Sequence, residues 1–127
     1  MPEKHLFEYA IIRIVPCVER EEFMNVGVIM YCSAQKFLKC TTHIDIEKLK
    51  SFRSHLSINE LQERLDVFKK ICGGIPDGGT IGTYPLASRF RWLTATRSTV
   101  VQTSKVHPGL CQDAAKTLLR LHEDLVL

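Results

Sequence analysis

Hydrophobic and polar positions along this chain first follow a strand period and then a helical one. Over Phe7–Val15 the residues Tyr9, Ile11, Ile12, Ile14 and Val15 are aromatic or β-branched, and Pro16 stops the ladder, which predicts a strand. Val26–Cys32 is apolar on both alternations, the pattern of a central strand covered on both faces. The connection Cys17–Asn25 is charged and longer than a tight hairpin. After Ser33-Ala34-Gln35, the segment Lys36–Ile44 predicts a third strand with Leu38, Cys40 and Thr42 on one face. An antiparallel meander is the simplest arrangement of the three.

Helical spacing then takes over. Asp45 is placed to cap a helix with apolar positions Ile46, Leu49, Phe52 and Leu56. Ser57-Ile58-Asn59-Glu60 forms a capping box ahead of the stripe Ile58, Leu61, Leu65, Phe68 and Ile71. Glu60/Arg64 and Asp66/Lys70 are spaced as i,i+4 pairs, Lys69 and Lys70 suit the last turn, and Gly73-Gly74 ends it. Residues 73–85 read as a Gly/Pro-rich loop with turn chemistry at Pro76-Asp77-Gly78-Gly79. Leu86–Leu93 fits a short helix or an ordered loop. Ser98–Val106 alternates as a fourth, half-exposed strand, His107-Pro108-Gly109 is expected to turn the chain, and a last helix from Gln112 carries Ala114, Leu118, Leu121 and Leu125 on one face. The expected fold is a single α+β domain over residues 1–127, with residues 1–5 flexible. A small, mostly antiparallel sheet in βββααβα order is packed by helices.

Composition changes this picture little and narrows the setting. The 127 residues are 45% hydrophobic and 24% charged, an ordinary globular balance for a chain able to bury its own core. The longest apolar run, Val26–Cys32, falls far short of the ~20 residues of a membrane span. The polar start Met1-Pro2-Glu3-Lys4-His5 has the features of neither a signal nor a transit peptide. Cys17, Cys32, Cys40, Cys72 and Cys111 are odd in number and unclustered, which suits free thiols in a reducing compartment rather than a disulfide framework or a zinc site. A cytoplasmic protein is expected, with no membrane contact and no cofactor.

The net charge of +3 is too small to imply nucleic acid by itself. Its distribution is uneven: Gly78–Gln112 contains no acid but carries Arg89, Arg91, Arg97 and Lys105, while Glu19, Glu21 and Glu22 surround Arg20 in an early loop. Gly79-Thr80-Ile81-Gly82 matches a bare GxxG, but lacks the helical flanks and basic neighbours of a nucleotide-clamping loop, and no Walker or dinucleotide motif exists. The five histidines are scattered without metal-ligand spacing.

Two segments carry the candidate site. In Arg20-Glu21-Glu22-Phe23-Met24-Asn25-Val26-Gly27-Val28, Asn25 is suited to bridge backbone groups at the strand mouth and Gly27 to mark a bulge or a close approach. Functionally, Arg20, Glu21 and Glu22 would form a binding surface on a loop over a rigid sheet. In Arg89–Ser98, arginines interleave with Phe90 and Trp92, a composition shared by protein-interface anchors and base-stacking surfaces. The plainer reading has Phe90, Trp92 and Leu93 plugging the core while Arg89, Arg91 and Arg97 face water or the acidic loop.

The blocks YAIIRIVP, REEFMNVGVIMY, RFRWLTATRSTVVQTS and HPGLCQDAAKTLLRLHEDLV resemble DUF3037, a bacterial family of unknown function, over Tyr9–Val126, most specifically at Asn25-Val26-Gly27-Val28. The resemblance implies a bacterial origin, a small stand-alone protein without assigned activity, and a kinase-like partner encoded beside it. The expectation is a non-enzymatic accessory or regulatory module that binds another protein through Arg20, Glu21, Glu22, Asn25, Arg89, Arg91, Trp92 and Arg97. The competing expectations are a nucleic-acid or nucleotide phosphate site built on Arg89, Arg91 and Arg97, and an enzyme with Glu21 or Glu22 as general base. Exposed strand edges also allow a homodimer.

Overall fold

Strand β1, His5–Ile14, sends its residues alternately to two separate cores. Ala10, Ile12 and Ile14 enter one, whereas Phe7 and Tyr9 enter the other. The computed structural model describes residues 3–52, 56–74, 79–97 and 99–127. After β1 come β2 (Met24–Cys32), β3 (Phe37–Thr42), α1 (Ile46–Leu49), α2 (Ile58–Gly73), α3 (Leu86–Leu93), β4 (Val101–Thr103), β5 (His107–Cys111) and α4 (Ala114–Leu125). The sheet is antiparallel, in the order β3-β2-β1-β4, with β5 pairing the other half of the β1 edge. Helices α2 and α3 cover one face of the sheet and α4 the other.

The α+β class and the meander of the first three strands are as the sequence pattern predicts. Strand β2 is central and buried on both sides: Met24, Val26 and Ile29 meet the α2/α3 core, while Val28, Met30 and Cys32 meet the α4 core. A bulge at Val26 shifts the β1–β2 register between Ile12 and Arg13. At neighbouring Gly27, a Cβ would collide with the Thr41 carbonyl oxygen and come within 3.0 Å of its carbon. Glycine is needed there because β3 crosses too closely for any side chain.

The second half differs in order from the expectation. Leu86–Leu93 is a helix, and α1 ends at Leu49, although Phe52 and Leu56 still pack on the core. Residues 53–55 of that expected helix, the turn at Pro76-Asp77-Gly78, the strand start at Ser98 and the expected flexible residues 1 and 2 lie outside the described residues, while His5 already belongs to β1. His107-Pro108-Gly109 does not turn the chain. It begins β5, with Pro108 opposite Glu8 and Gly109 under the Phe7 ring. Proline is compatible because this strand lies at the sheet edge, where a ladder donor is dispensable. The break between β4 and β5 falls at Ser104, whose N–H donates to the Ile11 carbonyl at 2.8 Å while its Oγ accepts the Ile11 N–H at 2.8 Å. The hydroxyl thus replaces a backbone acceptor where the edge register slips by one residue.

The helix starts follow their caps. Asp45, Ser57 and Asp113 each accept the backbone N–H three residues on, so α4 begins at Ala114 rather than Gln112. Among the described residues, no helix is long and apolar enough to cross a membrane.

The far end of α4 is tied down by polar groups. Asn25 Nδ2 donates to the Leu125 carbonyl at 3.1 Å. Thr41 Oγ1 accepts the Val28 N–H at 3.2 Å and lies 2.6 Å from His122 Nδ1, so a neutral ring that accepts the threonine proton completes a relay from β2 through β3 to α4. Burial first, and then the charge of His43, lower the His122 pKa from the ordinary 6.5, with Glu123 pulling the other way.

Two expectations follow from this packing. Gly27→Ala should lose at least about 2 kcal/mol in urea unfolding, through the collision with β3; a loss below about 0.5 kcal/mol would show that the two strands do not approach so closely. Because His122 has a depressed folded pKa, its contribution to stability is complete above pH 6.5 and lost as pH falls below it. Urea midpoints from pH 8 to pH 5 should therefore decline more steeply in the wild type than in His122→Gln, and identical slopes would remove the relay from the account.

Candidate functional site

Helix α3 explains why its arginines fare so differently. Leu86, Arg89, Phe90 and Leu93 recur at helical spacing, so Arg89 shares the buried face with Phe90 and Leu93. Arg89 is only 9% exposed, and its guanidinium fills the space that a Cβ at Gly74 would need, beside the C-terminal end of α2. A cation is favoured at that end of a helix. Arg91 points away from this core and makes a bidentate pair with Glu8 of β1, at 2.9 and 3.1 Å. The Glu8 hydrogen bonds raise the Arg91 pKa. Trp92 remains 39% exposed, and the Arg97 guanidinium stacks on it, 3.9 Å from the ring centroid, while donating to the Trp92 carbonyl. Desolvation in this position lowers the Arg97 pKa.

Arg97 stands between two cavities. The larger, about 450 Å³, runs between α2 and α3. Arg64, Val67, Phe68 and Ile71 form its α2 wall at i, i+3, i+4 and i+7. Trp92 and Leu93 form the α3 wall, and Arg97, Thr99 and Val101 close the β4 side. Its lining is mainly apolar, and Val67 is 55% exposed. Among the described residues neither Arg64 nor Arg97 is ion-paired to a carboxylate, so the groove has cationic rims.

The smaller cavity, about 270 Å³, is lined by Arg13, Val15, Val18, Glu21, Phe23, Arg97 and Gln102. Val101 and Gln102 are adjacent in β4, so they project to opposite sheet faces and line one cavity each. Arg13 is flanked in register by Asn25 of β2 and Gln102 of β4. Its guanidinium lies 4.1 Å from the Phe23 ring centroid. Glu21 enters from the turn after Val18–Arg20, with a left-handed backbone at φ 56°.

The residues singled out from sequence therefore do not form one surface. Glu21, Trp92 and Arg97 are gathered around the two cavities. Arg20 and Glu22 pair with each other on the surface, Asn25 holds α4, Arg89 is buried, and Arg91 belongs to Glu8. Trp92 is half out of the core, whereas Phe90 and Leu93 are inside it. Sequence reasoning missed Arg13, Arg64, Val67 and Gln102. Arg13 was detectable as a cation inside the apolar run Ile11–Val15, and Val67 with Arg64 as a pair beside the main α2 stripe. Among the described residues, no three His, Cys, Asp or Glu side chains gather where they could hold a metal ion. Cys72, packed under Cys40, is held protonated by the Cys40 hydrogen bond and by burial, which disfavours it as a nucleophile.

Fold and site together define a small α+β domain with an apolar groove and a polar pocket joined at one arginine. The chain belongs to the family described as "Protein of unknown function (DUF3037)", which matches residues 9–126. No curated protein and no solved structure matches it.

Proposed function

We propose that this chain is a small bacterial accessory or regulatory module that binds another protein, and that the groove between α2 and α3 takes an acidic, apolar segment of that partner. The observation that carries this reading is the exposed apolar lining around Val67 and Trp92, with Arg64 and Arg97 at its rims free of carboxylate partners among the described residues. A partner's apolar side chains would leave water in the groove, and its carboxylates would meet the two guanidiniums. Tryptophan and arginine at one rim are the residue types that dominate binding energy at interfaces. A kinase-like protein, the partner class implied by the family resemblance, is the first candidate.

The bacterial cytoplasm suits a chain whose cysteines are free thiols. The nucleic-acid reading draws less support, because Arg89 is buried and Arg91 is already paired, leaving Arg97 alone of the three arginines it used.

The test is capture from bacterial lysate treated with nuclease. A stoichiometric acidic partner should bind the wild type, weaken as salt rises, and lose at least about tenfold in affinity to Val67→Asp. Leu119→Asp, on the exposed side of α4, should bind it unchanged. Equal binding by Val67→Asp, or capture that vanishes with nuclease, would reject the groove as a protein site.

A further inference from the structure

We propose that the smaller cavity is an oxyanion site, in which Arg13 and Arg97 hold the phosphate group or carboxylate of a small ligand. This goes beyond the groove reading, since Arg13 takes no part in the groove.

The argument begins with Arg13 itself. It sits near the end of a strand whose neighbours Ile12, Ile14 and Val15 are buried, and its side chain projects to the sheet face opposite Ile12 and Ile14. The guanidinium lies over the Phe23 ring, and Nε is buried without a hydrogen-bond partner among the described residues. No carboxylate pairs with Arg13 there. A guanidinium partly removed from water without a carboxylate partner is costly unless an anion faces it.

Arg97 brings a second positive charge into the same cavity, held there by the Trp92 ring and carbonyl. Its pKa is already lowered by desolvation, so an anion beside it in the cavity would offset that burial. The fork of donors on each arginine matches the geometry of phosphate and carboxylate oxygens. Gln102 turns its amide to the Thr99 carbonyl at 2.7 Å, which leaves recognition to the arginines. A cavity of about 270 Å³ accepts such a group with a few atoms attached. Glu21 is the opposing charge in the wall, and it restrains affinity for a bare anion.

Inorganic phosphate and acetate, titrated separately at constant ionic strength and followed by amide chemical shifts, test the site. At least one should give saturable shifts centred on Arg13, Glu21 and Gln102. Phosphate alone would assign a phosphorylated ligand, acetate alone a carboxylate, and binding of both would support the shared chemistry. Arg13→Gln should weaken binding by at least about tenfold and Arg13→Lys by less. Glu21→Gln should tighten it by about fivefold, and Leu119→Asp, which lines neither cavity, should leave it unchanged. Absence of saturable shifts with both anions would overturn the proposal, as would a folded Arg13→Gln that binds like the wild type. If Arg13→Gln does not fold, unchanged affinity in Glu21→Gln overturns it instead. Either failure leaves the groove reading standing, because that reading is tested at Val67.

Discussion

Strand β1 must be flanked along both edges over Glu8–Ile14, and the rest of the structure is arranged to meet that demand. On one side β2 pairs Glu8–Ile14, with a bulge at Val26. On the other, two short strands divide the work, β5 along His5–Tyr9 and β4 along Ile12–Ile14. An unpaired amide in the middle of such a strand costs about as much as the hydrogen bond it forgoes. The Ser104 hydroxyl prevents that loss by accepting the Ile11 N–H at the join. With β1 fixed, its alternation delivers one residue set to α2 and α3 and the other to α4.

The same constraint produces the site. Because β4 is only three residues long, Val101–Thr103, it ends the sheet without closing over the neighbouring surfaces. The chain between α3 and β4 then carries Arg97 to the boundary between the two cavities. Stacking on Trp92 holds that arginine as a partition, with the apolar groove on one side and the Arg13 pocket on the other. Recognition of a partner segment and of a small anion would thus share one guanidinium, which makes communication between the two occupants a physical consequence of the geometry.

Much of the fold was legible because local chemistry and tertiary packing agree. Ser57 and Asp45 cap where the pattern placed them, β2 is apolar on both alternations because helices cover both of its faces, and Gly27 marks both a close approach and the neighbouring bulge. His107-Pro108-Gly109 was illegible for the opposite reason. Its residues have turn chemistry, and only the edge pairing with β1 makes them a strand. The site was less legible than the fold. Charge runs in sequence grouped Arg89, Arg91 and Arg97, yet one turn of helix sends the first two to a buried face and to Glu8. The arginine that joins Arg97 in the pocket comes from β1, more than eighty positions earlier by sequence number. Such a pairing is a property of strand order, which composition does not encode.

The groove between α2 and α3 is the central claim, and site-specific photo-crosslinking in living cells addresses it most directly. A photoreactive residue at position 67 lies on the groove wall, and one at position 119 lies on the exposed side of α4 across the sheet. The account predicts a discrete protein adduct from position 67 and none from position 119. An adduct from position 119 alone would place the working surface on α4 and contradict it.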